Sequence, residues 1–220
     1  MRARVLLAVK ATQFERFGST GRDPRLRALL ESGDPRAAHV RQNHEETVRS
    51  RTRVRRILQA AGFDVRVAYR SRPIPDGSAD LVVIVGGDGT VLDFARLIGS
   101  TPVLAVNSSP STSVGHFCCA TADTLESVLD RVFAGRAQPL SLSRIRVTVD
   151  GEPAHWPALN DVLFAHANPA ATSRYLLRIG DVAEVQKSSG IWISTSAGST
   201  GAIRSAGGEC MDLSDRKSVV

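Results

Sequence analysis

Aromatic side chains make up only 5% of this 220-residue chain, with two tryptophans and two tyrosines among them. A surface that stacks single-stranded nucleic acid needs several such rings side by side, so that class of partner is not expected. Cysteine is equally scarce, at three residues, Cys118, Cys119 and Cys210. An odd number, two of them adjacent, suits neither a disulfide framework nor a zinc site and fits a reducing, cytoplasmic setting. The five histidines show no metal-ligand spacing. No apolar run approaches the roughly 20 residues of a membrane span. The apolar part of "MRARVLLAVK", Val5 to Val9, is too short for a secretory segment and reads as a first strand. No membrane and no nucleic acid is expected as a partner.

What the chain does contain is ordinary for a globular protein: 42% hydrophobic and 23% charged residues, and length for one large domain or two modest ones. The net charge of +6 favours anionic ligands. Much of the excess lies in "HVRQNHEETVRSRTRVRRILQAAG", where interspersed acids at helical spacing describe a solvated helix face.

Apolar patterning divides the chain. "RVLLAVKA" reads as a buried strand, residues 15 to 38 as an irregular or short-helical excursion, and His39 to Ala61 as a helix stopped by Gly62. "FDVRVAYR" alternates as a strand does, "ADLVVIVGG" is continuous as in a sheet covered on both faces, and "TPVLAVN" is a further short strand. "TADTLESVLDRVFAG" carries Leu125, Val128, Leu129 and Val132 on one helical stripe. The order β-α-β-β-α-β-α predicts an α/β, doubly wound, Rossmann-like domain over residues 1–138. From residue 139 to 220 the segments "LSLSRIRVTVDGEPAHW", "PALNDVLFAHA", "RYLLRIGDVAEVQKSSG" and "IWISTSAGS", with Asp-Gly and Gly-Asp turn signals, predict a mainly β second domain.

The stretch richest in chemistry is "LVVIVGGDGTVLDFAR", residues 81–96. A buried strand runs into a glycine-rich turn and then a helical pattern, the layout in which backbone amides cradle phosphate. Gly86, Gly87 and Gly89 let backbone approach a ligand, and Thr90 is expected to open the helix. Neither the Walker loop nor the dinucleotide fingerprint is present. The turn carries Asp88 where a Walker loop would carry lysine. Asp88 reads either as a helix N-cap or as a base that takes a proton from an attacking hydroxyl in phosphoryl transfer.

This stretch, with "ALNDVLF" at 158–164 and "STSAGSTGAIRSAGG" at 194–208, resembles the three motifs of the NAD kinases in their order. The first is shared more distantly with diacylglycerol and sphingosine kinases. "AVNSSPSTSVGHFC" is similar to the divergent branch that contains the mitochondrial NAD kinases. The resemblance implies an ATP-dependent NAD kinase that phosphorylates the adenosine 2′-hydroxyl of NAD, with Mg²⁺ accompanying ATP. It implies that Asp88 is the catalytic base, that Gly87, Gly89 and Thr90 handle phosphate, and that Leu92 lies near the adenine. It further implies that Asn160 and Asp161 contact NAD and that Thr200, Gly201 and Ser205 line the dinucleotide site. Ala202 stands where the family usually has tyrosine, and Ser189 where it usually has an acid. Family members continue past "SAGG" with further strands, so an incomplete second domain and a homo-oligomer are expected. A non-catalytic NAD-binding protein and a diacylglycerol-type lipid kinase are the alternatives.

Overall fold

The computed structural model describes residues 2–20, 22–69, 74, 77–154 and 156–220. Arg70, at the end of an expected strand, Gly21 and His155 lie outside the described residues. The chain forms two compact units, Met1–Pro139 and Leu140–Val220.

The first unit is built on five strands, β1 (Arg4–Val9), β2 (Asp64–Tyr69), β3 (Leu81–Gly86), β4 (Val103–Asn107) and β5 (Ala120–Thr121). They are all parallel, in the order β2-β1-β3-β4-β5. The alternation of side chains explains why β3 is apolar throughout. Val83 and Val85 join one core with Val5, Leu7, Val9, Leu104 and Val106, whereas Val82 and Ile84 join another with Ala8 and Ala105.

Two helices cover the first face. The long helix α2 (Ala38–Ala60) buries Val54, Ile57 and Leu58 there, and α4 (Leu125–Phe133) buries Leu125 and Leu129. Gly62, with φ +84°, terminates α2 as its position predicts. The opposite face is covered by α3 (Asp88–Ala95), whose Phe94 is fully buried. The excursion before α2 consists of a π-helical turn at Phe14–Gly18, α1 (Pro24–Glu31) capped by the Asp23 carboxylate, and a 3-10 turn at Pro35–Ala37. The expected α/β, doubly wound architecture is therefore present. Its strand order reverses between β1 and β3, which makes the carboxyl ends of those two strands the place where an open sheet accepts a ligand.

The second unit is mainly β but sparsely sheeted. A short hairpin pairs β6 (Thr148–Val149) with β7 (Glu152–Pro153) through Asp150 and Gly151, both at positive φ, as an Asp-Gly turn requires. The segment "LSLSRIR" before it, expected as strand, contributes one isolated bridge, Ile145 to Ala158, because among the described residues most of it has no strand alongside to pair with. β8 (Asp161–Phe164) pairs with β11 (Ile191–Ser194), and β9 (Ser173–Ile179) with β10 (Val182–Ser188), both antiparallel. A short helix, α5 (Ala202–Ser205), lies near the end. Among the described residues no helix is long and apolar enough to cross a membrane.

Candidate active site

The glycine turn stands at the carboxyl end of β3, one strand from β1. Gly86 is needed because a Cβ there would lie 2.3 Å from Thr90 Oγ1. Thr90 packs onto that bare backbone and is 8% exposed. Gly87 is the N-cap, extended at φ −96° and ψ −173°, and its carbonyl accepts the Thr90 N–H at 2.8 Å.

This geometry corrects the expected helix start and decides against one of the two readings of Asp88. The helix opens at Asp88 rather than at Thr90, and Asp88 is its first residue rather than its cap. Freed from capping, the half-buried Asp88 carboxylate turns to the next loop, where Oδ1 accepts the Phe117 N–H at 2.8 Å. An acid in the first turn also complements the positive end of the helix. Gly89 is exposed, and a Cβ there would meet nothing within 4 Å, so its surface is open to a ligand. Leu92, one turn beyond Asp88, is half-buried.

The loop that Asp88 holds, residues 108–119, follows β4; its sequence carried a likeness to one branch of the family, but none of its residues was expected in the site. Asn107 organises it: Nδ2 donates to the Ser113 carbonyl at 2.9 Å, and Oδ1 accepts the Ser109 N–H at 3.1 Å. Helix α2 supplies a row of polar partners. Gln42 donates to Ser111, Asn43 to Thr112, and Ser50 to the Ser108 carbonyl. Ser111 and Ser109 both donate to Glu46, and their hydroxyls hold its carboxyl below the usual range. Cys118 donates to the Gly86 carbonyl at 3.7 Å. Burial pushes its thiol up to about 12, with the Asp88 charge and Cys119 adding to the effect. The available signal was a run of small hydroxylated residues directly after a buried strand, at the end of the sheet where ligands bind.

A cation also reaches this end of the sheet. Lys10 follows β1 directly, and its Nζ donates to Asp93 Oδ2 on α3 at 2.6 Å. Its carbonyl is fixed by the Arg51 guanidinium, which also pairs with Glu15.

The second unit gathers another part of the expected site. The Asn160 carbonyl accepts the Thr195 N–H at 2.9 Å and the Ser194 hydroxyl at 3.2 Å. Gly198 crosses so close that a Cβ would stand 2.3 Å from that carbonyl oxygen. The whole run Ser194–Ser199 is buried, held by hydrogen bonds more than by hydrocarbon packing. Asn160 and Asp161 converge on Gly201, whose absent Cβ would lie 3.6 Å from both Asn160 Nδ2 and Asp161 Oδ2. Asn160 Oδ1 is buried with no donor among the described residues. Burial raises the Asp161 carboxyl above its ordinary range. Thr200, next to Gly201 in the chain, and Ser205, the last residue of α5, are exposed. An orphaned buried acceptor beside a desolvated acid asks for a donor from outside, such as a sugar hydroxyl or an amide.

A family model described as the ATP-NAD kinase N-terminal domain matches residues 35–137. The chain is 38% identical over 199 residues to a probable NADH kinase of Oryza sativa subsp. japonica, covering 79% of this chain and 60% of that protein. It is 42% identical over 169 residues to an NADH kinase of Arabidopsis thaliana, covering 66% of this chain and 53% of that protein. The chain thus spans little more than half the length of these relatives. Among solved structures, an NAD kinase from Archaeoglobus fulgidus in complex with ATP shares the fold, with a TM-score of 0.62 at 21% identity, covering 98% of this chain and 71% of that one.

Proposed function

The chain belongs to the ATP-NAD kinase family, and from that premise we propose that it transfers the γ-phosphoryl group of ATP to the adenosine 2′-hydroxyl of NAD. The observation that carries this reading is the posture of Asp88. Its Oδ1 is occupied by the Phe117 N–H, which leaves the work of a base to Oδ2, beside a glycine turn with open space over Gly89. In the proposed reaction Asp88 takes the proton as the 2′-oxygen attacks the γ-phosphorus. The bond to the β-phosphate oxygen breaks, and ADP leaves. Gly87, Gly89 and Thr90 serve the phosphates with backbone amides and the start of α3.

In the second unit Asn160 and Asp161 serve the dinucleotide, with Gly201 leaving room and Thr200 and Ser205 at the rim. The orphaned Asn160 Oδ1 supports this assignment. Mg²⁺ enters with the substrate, as Mg·ATP. The ion needs only one or two carboxylates when phosphates and waters supply the remaining ligands.

Self-association is part of the same proposal. Leu163, Phe164, Leu176, Ile179, Val182 and Val185 are all exposed on the two-stranded sheets of the second unit. Such sheets are marginal without partners.

The test is formation of NADP⁺ from Mg·ATP and NAD⁺, with NADH as a second acceptor because the rice and Arabidopsis relatives are named NADH kinases. Binding of NAD without turnover would make the chain a non-catalytic dinucleotide binder. Phosphorylation of a short-chain diacylglycerol would move it to the lipid kinases.

A further inference from the structure

The glycine turn lacks the lysine that phosphate loops commonly carry, yet a lysine reaches the same end of the sheet from another strand. Lys10 is the first residue after β1, and the register of β1 on β3 sets Val9 opposite Val85, which places Lys10 level with Gly86. Strand alternation sends the Lys10 side chain to the same face as Ala8, the face that α3 covers. There its ammonium meets Asp93 at 2.6 Å, with the lysine side chain 29% and the aspartate side chain 18% exposed.

Asp93 is four residues after Gly89 on α3, so the two share one stripe of the helix. A helical side chain leans over the turn before its own, so Asp93 draws the ammonium toward the open surface at Gly89. The Lys10 backbone is meanwhile pinned by Arg51 on the other side of the sheet, so the flexible stem can swing while its root stays fixed.

We propose that Lys10 is a phosphate-binding residue of the donor site: its ammonium, held by Asp93 before the nucleotide arrives, turns to the terminal phosphates of ATP over Gly89. The inference rests on the kinase reading for its substrate, although the binding step can be measured without turnover. Asp93 is then the cation's partner in the absence of nucleotide and competes with phosphate for it. It stores the cation beside the turn and yields it to a ligand of higher negative charge.

Two variants separate this role from that of a structural ion pair. Lys10→Met removes the cation, whereas Asp93→Asn breaks the same pair and leaves the cation in place. With the full chain, Lys10→Met should raise KM for ATP by about tenfold or more, the effect of losing one charge-assisted contact. KM for NAD should stay within about twofold, since the dinucleotide makes no contact that this reading assigns to Lys10. Asp93→Asn should leave KM for ATP unchanged or lower it. Thermal protection by inorganic tripolyphosphate gives a second readout that needs no NAD. It should be present in the unmodified protein and in Asp93→Asn, and lost in Lys10→Met. Equal losses in both variants would make the pair purely structural and overturn the proposal, as would an unmodified protein that tripolyphosphate and ATP both fail to protect. If tripolyphosphate protection follows this pattern while no NADP⁺ is formed, the phosphate site stands and the assigned reaction falls.

Discussion

Replacing Asp88 by asparagine isolates the chemistry of a proton acceptor from the job of holding a loop. Asp88 combines the two, because Oδ1 accepts the Phe117 N–H at 2.8 Å while Oδ2 is assigned to the substrate hydroxyl. Asparagine keeps an oxygen for the Phe117 amide but converts a charge-assisted bond of about 1.5–3 kcal/mol into a neutral one of about 1 kcal/mol. The expected loss of stability is therefore about 1 kcal/mol, a fall in Tm of about 4 °C for a unit of this size. Turnover should fall far more, by about 10²-fold or more, because the amide cannot take the proton. Asp88→Ala should lose the same turnover and release the loop as well, costing a further ~1–2 kcal/mol for the unsatisfied Phe117 amide. NADP⁺ formation is followed in a coupled assay, and stability by thermal melting of the same samples. An asparagine variant that works within a few-fold of the unmodified protein would refute the base assignment and leave Asp88 as a loop tether. A variant that melts far lower would show that the loop, and not the proton, accounts for the lost rate.

Other consequences can be measured independently. Gly198→Ala should destabilise the second unit by about 3 kcal/mol, since its Cβ meets a backbone oxygen that cannot rotate away; an unchanged melting curve would contradict the packing described for Asn160. Cys118, with its thiol pushed up to about 12, should alkylate at pH 8 far more slowly than exposed Cys119 and Cys210, and peptide mass spectrometry that finds Cys118 modified first would contradict that environment. Burial raises the Asp161 carboxyl above its ordinary value of 3.8, so the folded state holds that proton more tightly than the unfolded one. Its contribution to stability is present below 3.8 and is lost as pH rises through the raised value. Asp161→Asn should therefore raise Tm at neutral pH, with the gain vanishing in acid, and a gain that persists below the ordinary carboxylate range would refute the desolvation argument. The same variant should weaken NAD binding.

The first unit was legible because its signals are local and redundant. A strand such as β3, apolar at every position, has to be covered on both faces, and its alternating side chains do enter two separate cores. Gly62 stops α2 where a residue able to adopt positive φ is wanted. The second unit was less legible for the converse reason. "LSLSRIR" alternates as a strand does, but alternation specifies only a face and does not supply a neighbour to pair with. The candidate site divides the same way. Asp88, Asn160 and Asp161 could be singled out from motifs, whereas the polar row on α2 that fixes the loop after β4 could not. Gln42, Asn43, Glu46 and Ser50 look like any solvated helix face until the fold brings Ser108 to Thr112 against them.

The acid in the phosphate turn and the lysine outside it have one explanation. A Walker loop places its lysine within the turn that carries the amides, so one segment supplies both charge and backbone. Here the turn holds Asp88 at the first position of α3, and a lysine on that same turn would stand beside the carboxylate and neutralise it. A base paired to an ammonium loses affinity for a proton, since the nearby positive charge favours the ionised form. Bringing the cation from β1 and binding it to Asp93 keeps it on the α3 surface, with a different carboxylate as its partner. Parallel strands make this arrangement available, because their carboxyl ends lie side by side and residues distant in sequence share one rim. The division of charge has a consequence that neither residue shows alone. Moving the cation into the turn, by Lys10→Met together with Gly89→Lys, should restore tripolyphosphate protection but lower turnover below that of Lys10→Met at saturating ATP, since the base would then be paired. Recovery of full activity in that double variant would show that the separation of acid and lysine has no chemical purpose.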